Sequence, residues 1–423
     1  MREMKDSGIE WIGSIPLEKT VLRNKYLLFY EKGKIPTSTN IEHRGKPYIG
    51  ASDLDSSSDY TLYTEDDDIP ESDGSELLVL WDGARAGIAG THKIGKVSST
   101  IVKITGNENV YQPFLYWYYM GFVGYMMDMV NGTTIPHMNR KYIEEIRFIN
   151  WTISEQKYFT DYLDRKCAAI DNIISKQEQI IEKLKEYKLS IITEAVTKGL
   201  DTKAEMKDSG NEYIGTIPHD WEICRLRNIG RPQNGISKGG DSFGYGTPFV
   251  SYGDVYKNFS LPETVTGLID ATEDEQNNYS VKKGDIFFTR TSETIEEVGF
   301  SCVCEKTIPK ATFAGFIIRV RPTNDRLHIG YAKYFFRSTH HRSYLAKEMN
   351  LVTRASLGQD LLKSMPVLLP PDDEQDRIAD YLDRKCNAID TMITEKQVLI
   401  NKWIEYKKSL IYEVVTGKKE VFD

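Results

Sequence analysis

The sequence predicts an α+β protein written twice, as two globular α/β blocks that each run into one long helix. Three observations carry that prediction. DYLDRKCAAID at 161–171 returns as DYLDRKCNAID at 380–390, 219 positions later. Apolar residues around and after each copy recur at spacings of three and four, the period of a helix with one buried stripe. The 423 residues are 40% hydrophobic and 27% charged, ordinary for a soluble chain with room for two to four domains.

The repeat extends beyond those eleven residues. MKDSGIEWIGSIP at 4–16 returns as MKDSGNEYIGTIP at 206–218, and from 161 to 197 about 21 of 37 positions match their counterparts. Between these edges the copies are distant relatives. KPYIGASDL (46–54) echoes TPFVSYGDV (247–255), and GSELLVLWDGARAG (74–87) echoes KGDIFFTRTSE (283–293). A duplication with no present division of labour is the plain alternative. Alike edges around drifted interiors favour one scaffold carrying two different surfaces.

The apolar run FLYWYYMGFVGYMMDMV (114–130) falls just short of a membrane span and contains Asp128. Laid against it, 333–349 reads KYFFRSTHHRSYLAKEM, which no bilayer would accept. A shared fold then makes 114–130 a buried aromatic helix, and no membrane partner is expected.

The long helices follow from their seams. In the first, Leu163, Cys167, Ile170, Ile174, Ile181, Leu184 and Ile191 mark a heptad stripe, interrupted at Gln177 and Lys188. In the second, Leu382, Cys386, Ile389, Ile393, Ile400, Trp403 and Leu410 do the same, interrupted at Lys396 and Lys407. A further apolar line (Ile173, Ile180, Tyr187; Met392, Leu399, Tyr406) predicts that each helix touches something besides its twin. Some 37 residues at 1.5 Å make a rod of roughly 55 Å, too long for one compact core and suited to a spacer. Gly199 and Gly417 punctuate the ends, and Asp372 or Asp373 is the expected N-cap of the second helix.

Catalytic motifs are missing. GTHKIGKV (90–97) places Val97 where a phosphate-binding loop needs Ser or Thr, and reads as a turn between strands. The seven histidines show no metal spacing, and LPPDDEQD (369–376) lacks the residues of a methyltransferase motif. Five cysteines without a C-x-x-C fit buried thiols in a reduced cytoplasm. A net charge of −8 argues mildly against a chain that wraps nucleic acid alone.

The ordered set of MKDSG-x-E-[WY]-IG-x-IP and EQ-x5-YLDRK-x3-ID-x2-I, each present twice, resembles the specificity (S) subunit of type I restriction–modification enzymes over nearly the whole chain. The resemblance implies two α/β target recognition domains in pseudo-twofold arrangement, separated by two long antiparallel coiled-coil-like helices. The divisions would be 1–153 (first recognition domain, opening block 4–16), 154–198 (first spacer helix) and 199–218 (linker and second opening block). Then follow 219–372 (second recognition domain), 373–417 (second spacer helix) and 418–423 (tail). It implies duplex DNA, two methyltransferase (modification) subunits and restriction subunits as partners. It implies no catalysis or cofactor in this chain, with S-adenosylmethionine, ATP and Mg confined to those partners.

Candidate DNA contacts come from polar and basic residues in the drifted interiors. In the first domain they are Trp81, Arg85, Thr133, Thr134, His137, Asn139 and Arg140. In the second they are Arg290, Thr291, Ser292, Arg337, Arg342, Thr353, Arg354, Ser356 and Gln359. Asn pairs bidentately with adenine and Arg with guanine, which is why these types are singled out. Residues 319–354 hold eight basic against two acidic side chains, the densest positive stretch, with a solvated helix face as its bland alternative. The acidic run 65–76 should face away from DNA or toward a basic partner. A two-armed protein-binding scaffold without DNA readout stays open beside the DNA reading, as does a stand-alone modifying enzyme with degenerate motifs.

Overall fold

The computed structural model describes residues 3–55, 59–129, 144–212, 214–292, 298–348 and 355–421. It divides into two compact units, residues 1–178 with 397–423, and residues 179–396. The chain is α+β, with short strands in the globular parts and two helices of 46 and 44 residues.

The first unit runs β1 (Met4–Asp6), β2 (Ser14–Pro16), β3 (Val21–Arg23), β4 (Leu28–Lys32), β5 (Lys46–Ile49), β6 (Tyr63–Thr64), β7 (Glu71–Asp73), β8 (Leu77–Leu80), β9 (Ala89–Gly90), β10 (Ile94–Val97) and β11 (Ile101–Gly106). Helix α1 (Gln112–Met129), β12 (Arg147–Ile149) and α2 (Ile153–Lys198) follow, α2 belonging to this unit up to Glu178. One sheet has the order β4-β11-β8-β9 and a second β6-β5-β10-β7, while β12 pairs with β3 beside the start of α2.

The second unit repeats this plan with β13 (Met206–Asp208), β14 (Thr216–Pro218), β15 (Glu222–Arg225), β16 (Gly230–Asn234), β17 (Phe243–Val250), α3 (Tyr252–Lys257), β18 (Gly267–Ile269), α4 (Glu273–Asn278), β19 (Ile286–Thr289), β20 (Thr291–Ser292), β21 (Ser301–Val303), β22 (Thr312–Phe313) and β23 (Ile317–Pro322). Then come α5 (Ile329–Phe335), α6 (Thr339–Glu348), β24 (Ala355–Ser356), α7 (Gln359–Ser364), β25 (Pro366–Leu369) and α8 (Asp372–Val415). Its sheets have the orders β16-β23-β19-β21 and β18-β17-β22, with β15–β25 in the place of β3–β12. The parallel pairs β5–β10 and β17–β22 recur as well.

Helix α1 is the aromatic segment singled out above. Phe114, Leu115, Trp117, Tyr118, Tyr119 and Phe122 are buried in the first unit's core with Leu163, Cys167 and Ile170 of α2. Each large apolar side chain so buried contributes roughly 1.5–3 kcal/mol. No helix among the described residues is long and apolar enough to cross a membrane. The repeat alignment shifts by two positions here. Helix α1 starts at Gln112 and α5 at Ile329, so 114–130 matches 331–347 rather than 333–349.

The Gln of the repeated EQ explains that offset. Gln156, fully buried, accepts from the Tyr111 backbone N–H (2.8 Å) and donates to the Asn109 and Trp151 carbonyls. Gln375 accepts from His328 N–H (2.9 Å) and donates to the Arg326 and Pro370 carbonyls. Each glutamine thus ties its long helix to the loop before α1 or α5 and to the chain entering that helix. Thr152 caps α2, its hydroxyl accepting from Glu155 N–H while the Glu155 carboxylate accepts from Thr152 N–H. Asp372 and Asp373 correct the expected cap of α8: they are its first helical residues, placed where acids favour the helix dipole.

Most seam residues are buried or half-buried within each unit. In the first unit Leu163, Cys167, Ile170, Ile400 and Leu410 are buried, with Ile174 and Trp403 half-buried. In the second, Ile181, Ile191, Leu382, Cys386 and Ile389 are buried, with Leu184 and Ile393 half-buried. The segments run antiparallel. In the first unit Gly417 abuts Trp151 while Lys407 reaches Asp171, and in the second Gly199 abuts Glu374 while Lys188 reaches Asp390. Both glycines take φ near +75°, the left-handed C-cap conformation. Burial pushes the Cys167 and Cys386 thiols up to about 11, as befits packing groups rather than nucleophiles. The second apolar line is exposed: Ile180, Tyr187, Met392, Leu399 and Tyr406 all face solvent.

Candidate nucleic-acid interface

The dense basic stretch of the second domain is mostly committed inside the fold. Arg337 is buried and donates to the carbonyls of Ser301 (2.6 Å), Val255, Tyr256 and Asn258, with its guanidinium between the rings of Phe259 and Phe300. Burial pulls its pKa down to about 10, still charged at neutral pH. Arg342 donates to the Val298 carbonyl and lies over Phe300. Arg321 makes a two-pronged pair with the buried Asp285 (2.6 Å), and Arg319, also buried, donates to Ser280 O and Gln233. Arg326, Lys333 and Lys347 pair with Glu222, Asp383 and Glu212. Arg337 as a DNA-facing side chain is therefore corrected: a guanidinium can enter a core only with its donors met, and here they are met by backbone.

Trp81 is corrected in the same way. It packs in the first core, and its backbone N–H donates to Thr100 O (2.7 Å). Arg85 is exposed but paired with Asp55. In the acidic run, Asp66 accepts from Thr37 N–H, Glu71 pairs with Lys46 and Lys96, and Glu76 is buried. Only part of that run, Glu65, Asp67, Asp68 and Asp73, is an open acidic face.

The described second-domain candidates Arg290, Thr291, Ser356 and Gln359 converge at one end of the sheet. Arg290 leaves β19 with its N–H bound to Phe316 O (2.9 Å) and its carbonyl accepting from Leu357 N–H (2.7 Å). Its guanidinium reaches Gly315 O at 3.4 Å, a long contact, and makes no other side-chain hydrogen bond or ion pair among the described residues. Thr291 and Ser292 pair with Ser356 and Ala355 across β20–β24. Gln359 donates to Asn234 Oδ1 (3.0 Å), and Phe316 beside them is 64% exposed. An arginine, two amides, hydroxyls and an open ring on one edge can read base edges and stack on bases. Thr133, Thr134, His137, Asn139, Arg140, Thr353 and Arg354 lie outside the described residues, as does the Ser292 side chain.

The first domain has the same frame with other side chains. Gly33 N–H bonds Ile101 O and Gly235 N–H bonds Ile317 O, and in both places a Cβ would sit about 2 Å from a facing carbonyl oxygen. By these registers Lys32 stands where Asn234 stands, Trp81 where Arg290 stands, and Thr100 where Phe316 stands. Lys32 pairs with Asp82 at 2.8 Å. Asn234, Phe316 and Lys32 escaped the reading of the sequence, because only the strand registers bring them to this edge, whereas Asp82 lies in the WDGAR segment that the sequence already offers.

Among the described residues no cluster of His, Cys, Asp and Glu could hold a metal. Within GTHKIGK only residues 91–93 form the turn, which joins β9 to β10, and no helix follows.

Comparison with known proteins agrees with this duplicated frame. The type I restriction modification DNA specificity domain matches residues 16–195 and again 218–401. The chain is 26% identical over 356 residues to the MjaVIII type I restriction enzyme specificity subunit of Methanocaldococcus jannaschii, covering 82% of this chain and 80% of that one. It is 28% identical over 252 residues to the EcoKI specificity subunit of Escherichia coli, covering 58% of this chain and 51% of that one. In fold it resembles a chain from a structure on the assembly and conformational transition of the type I restriction–modification system (TM-score 0.72, 14% identity, 96% and 99% covered). It also resembles the HsdS subunit of Thermoanaerobacter tengcongensis (TM-score 0.50, 13% identity, 96% and 98% covered). Two full copies of the domain on one repeated scaffold place this chain in the type I restriction–modification DNA specificity family.

Proposed function

We propose that the chain is a non-catalytic specificity subunit whose two recognition domains each read one half of a bipartite, asymmetric duplex DNA site. One observation carries the reading: equivalent strand ends on a common frame bear unlike side chains, Arg290, Asn234 and Phe316 against Lys32 and Thr100, with Trp81 turned into the core in the place of Arg290. Two surfaces of that kind suit two different half-sites. The paired helices set the gap, and their exposed apolar line (Tyr187 and Tyr406 among it) docks two modification subunits. S-adenosylmethionine, ATP and Mg belong to those partners and to the restriction subunits. Internal commitment of the described basic side chains in 319–354 fits a chain that gains phosphate contacts from its partners.

The test is modified-base sequencing of host DNA with and without this gene, the partner methyltransferase being present. Loss of methylated adenine at a split motif supports the reading, and replacing residues 219–372 by another recognition domain should then change one half-site only. Unchanged methylation would leave the protein-scaffold reading in its place.

A further inference from the structure

The two copies differ where α2 and α8 meet the recognition domains, and the difference is chemical. In the second unit Asp383 is filled from within: Lys333 Nζ lies 2.7 Å from its Oδ1, and the Tyr334 hydroxyl donates to the same oxygen at 2.6 Å. Asp164 is the repeat equivalent of Asp383, and by the two-residue shift Tyr116 and Trp117 take the places of Lys333 and Tyr334. Trp117 keeps its bond, Nε1 donating to Asp164 at 2.8 Å. The ammonium has no counterpart. In its place is a cavity of about 580 Å³ lined by Tyr111, Tyr116, Trp117, Asp161, Asp164 and His92, among others. Neither Asp161 nor Asp164 has an ion-pair partner among the described residues. Lys157 rests over the Tyr111 ring, 5.5 Å from its centroid.

We propose that this cavity takes one lysine or arginine side chain from a protein partner, the cation that the second unit supplies to itself as Lys333. Two carboxylates lined up with aromatic side chains are the kind of groups that bind an ammonium or guanidinium. The chain's own second copy shows such a group on the equivalent carboxylate, a second observation beside the cavity. The assignment of the partner rests on the reading that modification subunits dock beside these helices. It makes the two docking places unequal: one requires a basic side chain from the partner and the other does not.

The full chain labelled with 5-fluorotryptophan has six fluorine signals, one per tryptophan, and Trp117→Phe identifies the reporter. Nα-acetyl-arginine methylamide and Nα-acetyl-lysine methylamide should move the Trp117 signal saturably. The neutral norleucine analogue should need at least a tenfold higher concentration. Asp161→Asn should weaken the response about tenfold, and Tyr116→Lys, which installs the internal ammonium, should abolish it. A Trp117 signal that ignores the cations, or answers norleucine equally, overturns the cavity assignment. In the assembled complex, Tyr116→Lys should weaken one of two modification subunits at least tenfold by native mass spectrometry. Unchanged assembly overturns the choice of partner, whereas a wild-type chain that binds no such subunit would count against the proposed function instead.

Discussion

Lys407 of α8 holds both carboxylate oxygens of Asp171 on α2 at 2.7 Å, and Lys188 holds those of Asp390 at 2.7 and 2.8 Å. The four residues are two copies of one pair, 219 positions apart. Lysine interrupts an apolar seam, yet each finds its acid on the facing segment, so polarity at this position selects register more than it adds stability. A double-mutant cycle of Lys407→Met with Asp171→Asn should give a coupling of only about 0–1 kcal/mol, because both groups are partly exposed. Exchanging the charges, Lys407→Asp with Asp171→Lys, should restore what either single change loses, read by denaturant unfolding.

Gln156→Ala and Gln375→Ala should be far more costly. Each removes three hydrogen bonds from a buried amide and strands the backbone groups it served. A loss of about 3 kcal/mol is expected for each, measured by urea unfolding. A loss below 1 kcal/mol would mean that water replaces the amide without strain.

Arg337 and Arg290 should separate folding from recognition. Arg337→Ala leaves four carbonyls without their donor and should cost about 3–5 kcal/mol. Lys should not rescue it, since one ammonium cannot replace the planar fork. Arg290→Ala should leave the melting temperature within a few degrees. It should relax one base of the second half-site by about 1–3 kcal/mol, read by binding of the assembled complex to a panel of duplexes.

His341 predicts an acid limb. It is buried against Phe288 and Phe336, and loss of solvation, aided by the nearby Arg342 charge, lowers its pKa to about 3. A depressed base binds fewer protons folded than unfolded, so its contribution is intact above pH 6.5 and is lost as pH falls from there toward 3. Between pH 6.5 and 5 the loss should reach about 2 kcal/mol. His341→Gln, neutral throughout and able to keep the donor to Gly299 O, should flatten that limb.

The duplicated plan, the two long helices, the aromatic core helix and the family all follow from the linear order of residues. Repeats and periodicity are local patterns, and near-identity at 161–171 and 380–390 survives any folding detail. Side-chain fate was different. A run of eight basic residues reads the same whether its charges meet solvent, DNA or the chain itself. Only the tertiary structure decided that Arg337 meets four carbonyls and Arg321 meets Asp285. Nor could composition show that Trp81 turns inward while Arg290 remains at the sheet edge, or that Lys333 fills a place Tyr116 leaves open. For Arg337 and Arg321 the outcome depends on partners 36 to 82 residues away along the chain, such as Ser301 and Val255 for Arg337. Pairing at that range is settled by which strands lie side by side, because a buried polar group is stable only beside the partners that the fold delivers.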